Sequence, residues 1–153
     1  MLISYFVAPD DERAAQVIDW PSGPVAPEDG AGEQDALPVV DAKIEPVVTL
    51  TKLAEILSGT PYDELTADKR AATLLAQKDE YEVLVLTISD PVTAALAGAT
   101  DEDLVRAAGP WSQIEEFHGS ADPDQLLEVM RELGPLARQT VDGGRSLYVW
   151  WCA

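Results

Sequence analysis

The sequence predicts an α+β domain: a small mixed or antiparallel sheet flanked by helices, with a long C-terminal helix followed by a buried C-terminal strand. Three short segments, 2–7, 81–89 and 147–152, are apolar on both faces, as is typical of strands inside a covered sheet. Helical patterns separate them without a steady βαβ alternation. No glycine-rich turn follows the first two strands, which disfavours the alternative of an open doubly wound sheet. We expect one domain over residues 1–153.

The C-terminal helix and strand give the clearest pattern. Asp122 is a good N-cap, and Pro123 takes the first helical position, where its missing N–H is no loss. Gly143 or Gly144 ends the helix, and in the strand that follows Trp150 and Trp151 point to opposite faces. Between these ends the apolar residues recur at helical spacing and form a stripe that needs a sheet to cover: Leu126, Val129, Met130, Leu133, Leu136, Ala137 and Val141.

The N-terminal strand leads into a helix and then into a long loop. Asp10 caps the helix, which ends where Trp20 precedes Pro21. Residues 21–41 contain four prolines, three glycines, five acids and no basic residue, which predicts a Pro/Gly-rich acidic loop. Two interpretations of this loop stay open: a disordered insertion or a functional flap.

Capping signals divide the middle of the chain. A helix through Leu50 to Leu57 stops at Ser58 and Gly59, with Thr49 or Thr51 as its cap. Residues 62–77 form either one more short helix or an irregular excursion.

Two further helices follow the strand at 81–89. Asp90 with Pro91 repeats the start signal seen at Asp122 and opens a helix to about Ala97. Thr100 with Asp103 resembles a capping box, which starts a helix that runs to Ala108.

The charge balance limits the classes of partner. The chain carries 28 acidic and 10 basic side chains, for a formal net charge of −18. This charge repels nucleic-acid phosphate and anionic lipid, so neither DNA, RNA nor a membrane is expected as a partner. A basic protein is the possible partner that fits, while solubility alone is the other explanation of the charge.

Cysteine use and hydropathy favour the cytoplasm. Cys152 is the one cysteine, so an internal disulfide is excluded, and its place on an apolar strand predicts a buried thiol. The N-terminal apolar run has no basic flank typical of a signal peptide, and no apolar stretch is long enough to span a bilayer. We expect a cytoplasmic protein.

The candidate site is the segment that starts at Trp111 and ends at Asp124. A pocket lined by Trp111 and a carboxylate, with His118 as a general base, is one interpretation. The other is that Trp111 anchors a connection onto the core and Asp122 only caps a helix. The candidate pocket or partner-binding residues are Trp111, Glu115, Glu116, His118, Asp122 and Asp124.

Catalytic, metal and cofactor signals are scarce. His118 is the one histidine, and no serine lies in a G-x-S-x-G motif, so we expect no catalytic triad. One cysteine and one histidine do not make a closed zinc site, and Asp101 to Asp103 lack the EF-hand spacing for a hard cation. Gly30 and Gly32 do not follow a strand, as a phosphate loop would. No metal or cofactor is expected.

The order of elements resembles the YfbM-like family of small bacterial proteins of uncharacterised function. The resemblance lies in the N-terminal LISYF, the ILSG that ends at Gly59, the PW at Pro110 and Trp111, and the final helix, glycine pair and strand. Members carry Trp and His where this chain has Leu50 and Ala54. The resemblance implies an α+β fold and no activity.

These observations favour a non-enzymatic protein-interaction module with a strongly acidic surface, an adaptor or immunity-like protein. The alternative is a small-ligand-binding protein or enzyme with a pocket around Trp111 and His118.

Overall fold

The computed structural model describes residues 1–25 and 37–153, which form a single α+β domain. In this part of the chain five strands make one antiparallel sheet in the order β2-β1-β5-β4-β3. The strands are β1 Leu2–Ala8, β2 Val39–Asp41, β3 Leu74–Lys78, β4 Val83–Thr87 and β5 Ser146–Cys152. The helices are α1 Asp11–Gln16, α2 Thr49–Ser58, α3 Tyr62–Thr66, α4 Asp90–Gly98, α5 Asp101–Ser112 and α6 Pro123–Gly143. The predicted α+β class and the closing order of long helix and strand are confirmed.

The C-terminal strand β5 occupies the centre of the sheet, as its two apolar faces predict. It pairs with β1 from Leu2↔Cys152 to Ala8↔Ser146 and with β4 on its other side. Trp150 is buried on one face, whereas Trp151 is half-buried against the other. Cys152, expected as buried, is a half-buried free thiol.

Four helices, α2, α4, α5 and α6, cover the first face of the sheet. Met130, Leu133 and Ala137 of α6 are fully buried there. Val141 was predicted to continue the stripe, but it is 69% exposed and Thr140 is buried instead. The buried residues along α6 are separated alternately by four and three positions. Thr140, three positions after Ala137, continues this alternation, whereas Val141 does not.

The second face is covered by α1 and the segment that follows it. Phe6 and Tyr148 stack at 5.5 Å between ring centroids, and Val17 and Trp20 pack over this face. A 3-10 turn at Val17–Asp19 continues α1 to the predicted end before Pro21.

The described ends of the predicted 21–41 loop pack against the sheet, so the loop prediction is wrong there. Gly23–Val25 is a 3-10 turn, and Val39–Asp41 is strand β2, paired with β1 through Tyr5↔Val40. Gly23 has φ +63°, and a Cβ at this position would lie 2.5 Å from Cδ2 of Trp150. A three-residue edge strand gives too short a pattern to recognise in the sequence. Residues 26–36 of the predicted loop lie outside the described residues.

Two helix starts differ from prediction. Neither Thr49 nor Thr51 caps α2: the Glu45 carboxylate accepts from the N–H groups of Val47, Val48 and Thr49 at 2.6, 2.8 and 3.0 Å. Asp90 is the first residue inside α4 and follows the N-cap Ser89. The predicted capping box of Thr100 and Asp103 is confirmed.

The structure also tests the alternatives for residues 62–77 and moves one helix end. The short-helix interpretation is confirmed by α3 at Tyr62–Thr66, but strand β3, which begins at Leu74 and has mostly exposed side chains, was not predicted. Helix α5 passes Ala108 and ends at Ser112, because Pro110 lies in its last turn, where only the carbonyl of Arg106 loses a helical donor.

We expect Gly23→Ala to destabilise the fold by about 2–4 kcal/mol, since it adds left-handed strain and a clash with the Trp150 ring. Gly59→Ala is the matched control: Gly59 has φ +75° but nothing within 4 Å of an added Cβ, so it should cost only about 1–2 kcal/mol. Urea unfolding of both variants measures the difference. Equal losses would show that Gly23 does not pack on Trp150.

Candidate functional site

Trp111 lies in the core rather than in an open pocket. It is fully buried at the end of α5, and its indole N–H donates to the Thr49 carbonyl at 3.0 Å. The Phe117 ring meets it edge-on, with 5.4 Å between centroids and an interplanar angle of 78°. The indole therefore has its polar group satisfied and its ring packed inside the protein, as a structural anchor does.

Glu116 forms an ion pair with Lys52 of α2. The lysine Nζ contacts both carboxylate oxygens, with Oε2 at 2.8 Å. Their hydrogen bond lowers the pKa of Glu116 and raises the pKa of Lys52. This pair joins α2 to the 3-10 turn Glu115–Phe117, which follows α5.

The other four candidate residues lie on the surface, three of them in the connection between α5 and α6 and Asp124 in the first turn of α6. Glu115, His118, Asp122 and Asp124 are exposed. His118 ends the 3-10 turn in a left-handed conformation, with φ 52°. Asp122 is the N-cap of α6, as predicted, and its Oδ1 accepts from the Asp124 N–H at 2.9 Å. We call Glu115, Glu116, His118, Asp122 and Asp124 the α5–α6 surface.

A charged cluster that the sequence did not predict lies where β1 and β4 end. Strands β1 and β4 both run antiparallel to β5, so both end at the same edge, where α1 and α4 begin. Arg70, from the connection between α3 and β3, reaches this edge. Its Nη2 and Nη1 donate to the two carboxylate oxygens of Asp11 at 2.9 and 3.2 Å. The Tyr148 hydroxyl donates to Asp11 Oδ1 at 2.7 Å.

The electrostatics of this cluster are those of a closed network. Hydrogen bonds from Arg70 and then from Tyr148 lower the pKa of Asp11. Burial, followed by the bond to Asp11, raises the pKa of Tyr148 to about 12. Arg70 Nε lies 3.6 Å from Asp90 Oδ1 and has no hydrogen-bond partner among the described residues. Because both Nη groups and the phenol are directed at Asp11, the cluster ties three elements together rather than presenting a free reactive group.

A pocket of about 120 Å³ opens near the same edge of the sheet. It lies between the start of α2, the end of α3, the turn before β3, and the junction of β4 with α4. Four of its lining residues carry hydroxyl groups and none carries a charge, so we call it the hydroxyl pocket. Its lining residues are Pro46, Val47, Thr51, Thr66, Ala71, Ala72, Thr87, Ile88, Ser89 and Val92. No local sequence pattern indicates this pocket, because its lining residues come from four separate segments.

In residues 1–25 and 37–153 no three or more His, Cys, Asp or Glu side chains are grouped so as to hold a metal ion. No helix of the described chain has the length and apolar character needed to cross a membrane.

No protein-family model, curated protein or solved structure matches this chain. Its interpretation therefore depends on its own geometry.

We expect Trp111→Ala to destabilise the protein by about 3–5 kcal/mol, because it empties a fully buried site. Trp111→Phe keeps one ring but loses the rest of the indole and the bond to the Thr49 carbonyl, so it should cost less, about 1–3 kcal/mol. Equilibrium unfolding in urea checks both values. An alanine variant as stable as the parent would mean that Trp111 does not anchor the core.

We expect stability to fall at alkaline pH through Tyr148. Its folded pKa of about 12 lies above the ordinary 10.0, so the neutral phenol contributes stability that is fully present below pH 10 and is lost as pH rises towards 12. Tyr148→Phe should be less stable at neutral pH and should make this decline shallower, while the part due to Tyr5, whose pKa is also raised by burial, remains. Tyr81→Phe, at a ring that is 64% exposed, should leave the decline in place. Thermal unfolding compares the three proteins from about pH 8, where the phenol is neutral in both the folded and the unfolded state, to about pH 12. An unchanged decline in Tyr148→Phe would contradict this assignment.

Proposed function

We propose that this chain is a non-enzymatic protein-interaction module, adaptor-like or immunity-like, that binds a basic protein through its acidic surface. The observation that carries the proposal is the excess of acidic over basic groups on the exposed connection between α5 and α6. No lysine or arginine occurs between Arg106 and Arg131, whereas Glu115, Asp122 and Asp124 are exposed there.

Internal ion pairs leave most acidic groups unneutralised. Even if each of the 10 basic side chains paired with a different acid, 28 − 10 = 18 acids would remain. Among the described residues, ion pairs within 4 Å engage four of those bases: Lys52, Arg70, Arg106 and Arg131. A surface of one sign speeds encounter with a partner of opposite sign.

Lys52 does not offset the charge of the α5–α6 surface. It reaches this surface from α2 and is engaged by Glu116. The Glu115 carboxylate is also near enough to Lys52 to raise its pKa. With Glu115, Glu116, Asp122 and Asp124 against one ammonium group, the surface keeps a negative balance, which suits lysine and arginine side chains of a partner.

The alternative, a ligand or catalytic pocket around Trp111 and His118, has less support. Trp111 is buried with its N–H bonded to a backbone carbonyl, while His118 is exposed. A pocket that uses both side chains would require the core to open. The proposal therefore gives Trp111 an anchoring role beneath the surface and assigns contact with the partner to the exposed acids.

The remaining expectations belong to the same proposal. A net charge of −18 supports a partner that is neither nucleic acid nor an anionic membrane. A cytoplasmic location and membership of the YfbM-like family are kept as inferences from composition and from the order of elements.

The experiment is capture of a basic partner at low and at physiological salt, followed by measurement of its association rate. The test variant is Glu115→Gln with Asp124→Asn, since Asp122 caps α6 and Glu116 pairs with Lys52. We expect association to slow by about threefold to tenfold in this variant and to slow further as salt rises, because long-range steering is screened.

The matched control is Glu80→Gln with Glu82→Gln, which removes the same charge from exposed acids between β3 and β4. It should slow association less than the test variant does. A partner whose association ignores both salt and the Glu115 and Asp124 substitutions would overturn the proposal. So would recovery of no basic partner at either salt concentration.

A further inference from the structure

The hydroxyl pocket has the size and lining of a small-molecule site. Its volume of about 120 Å³ is close to that of an apolar cavity of about 150 Å³ that accommodates benzene. Pro46, Val47, Ile88 and Val92 give it an apolar lining. It shares no residue with the α5–α6 surface, so a ligand bound here would be a second function of the domain.

The hydroxyl protons in this lining are already used inside the fold. Each of the four hydroxyl groups donates to a backbone carbonyl: Thr51 to Val47 at 2.5 Å, Thr66 to Tyr62 at 3.0 Å, Thr87 to Arg70 at 2.5 Å, and Ser89 to Leu65 at 3.0 Å. A hydroxyl has one proton and two lone pairs. Thr87 also accepts from the Thr73 N–H at 3.0 Å, which leaves its hydroxyl one lone pair. Any of the four hydroxyls that meets a ligand therefore acts as an acceptor, and the ligand must supply the donor.

The starts of α2 and α4 both lie at the pocket, and they differ in whether a side chain already accepts from their first backbone N–H groups. At α2 the Glu45 carboxylate already accepts from three backbone N–H groups, so this end does not attract an anion. At α4 the N-cap Ser89 turns its hydroxyl to Leu65 and does not cap the helix, and Pro91 has no N–H. The Val92 N–H is left without a side-chain cap at the pocket wall, as a donor for a ligand carbonyl.

The charges around the pocket, and their absence from its lining, exclude both anions and cations of suitable size as its ligands. A carboxylate has no proton to give to the hydroxyl oxygens, and the Asp90 carboxylate stands at the same helix start. An ammonium group would lose its hydration in a lining without a charged residue, and the two carboxylates beside the pocket are already engaged, Asp90 by Arg70 and Glu45 by the start of α2.

We propose that the hydroxyl pocket binds a small neutral molecule that has a short aliphatic body and a head group able both to donate and to accept, such as a primary amide. The amide N–H groups meet the hydroxyl oxygens of the lining, and the amide oxygen faces the start of α4. The aliphatic body fills the space between Val47 and Val92.

Four probes of nearly one shape test this class: isobutyramide, methyl isopropyl ketone, isobutyrate and isobutylammonium. Backbone amide NMR shifts of the intact protein follow each titration. The amide should give saturable shifts centred on residues 46–51, 66, 71–72 and 87–92. It should bind about threefold to tenfold more tightly than the ketone, which lacks only the donor. Both ions should bind more weakly than the amide.

Ala71→Leu adds bulk to the pocket from a half-buried position in the turn before β3, and it should abolish amide binding. Ala94→Leu, at an exposed position on α4 that does not line the pocket, should leave binding unchanged. If Ala71→Leu fails to fold, two measurements on the unsubstituted protein test the proposal: which backbone amides shift, and in what order of affinity the four probes bind. The proposal is overturned if the ketone equals the amide, if either ion binds most tightly, if the shifts centre elsewhere, if no probe saturates, or if folded Ala71→Leu still binds.

Discussion

Burial of both faces of β5 is the constraint on which the rest of the structure depends. A strand with Tyr148 and Trp150 on one face and Leu147 and Val149 on the other needs two covers. A buried aromatic side chain removes about 150–250 Å² from water, an upper limit of about 4–6 kcal/mol for each ring. The long helix α6, with α2, α4 and α5, supplies the first cover. The thinner second cover comes from α1 and the segment through Gly23, where the lack of a side chain lets the backbone approach Trp150.

The central position of β5 also decides where polar groups collect. Because β1 and β4 flank β5 and run antiparallel to it, their last residues meet at one edge of the sheet, with α1 and α4 starting there. Asp11 and Asp90 are acids in the first turns of these two helices, where the helix dipole favours negative charge. Two carboxylates at one edge would repel each other, and Arg70 lies between them, within 4 Å of both. The hydroxyl pocket opens beside the same edge. The contacts of Arg70 with Asp11 and Asp90 and the position of the pocket therefore both follow from the order of β1, β5 and β4 in the sheet.

Much of the fold could be predicted from the sequence because its signals are local. Strands β1, β4 and β5 are short runs apolar on both faces, and the starts of α5 and α6 carry their own capping residues. Strands β2 and β3 were missed since one has three residues and the other, LLAQK, is mostly exposed at the edge of the sheet. The candidate site was harder to predict. The cap at Asp122 is a local feature, but the contacts that define the rest join distant residues: Trp111 with Thr49, Glu116 with Lys52, and Arg70 with Asp11. Nothing in a single sequence relates positions so far apart.

The way the scarce basic residues are used explains why the acidic surface stays acidic. Three of the bases connect separate elements: Lys52 joins α2 to the turn after α5, Arg70 joins the α3–β3 connection to α1, and Arg131 joins α6 to α5. Exposed ion pairs of this kind add little stability one by one, about 0–1 kcal/mol each. Their effect on the charge distribution is larger. A base that pairs with an acid between two elements does not neutralise the acids elsewhere on the surface. A chain with 28 acids and 10 bases that places its bases between elements therefore presents acids outward at the connections. The same placement leaves the hydroxyl pocket uncharged, since Arg70, next to Ala71 in the chain, directs its guanidinium to Asp11 and away from the pocket lining.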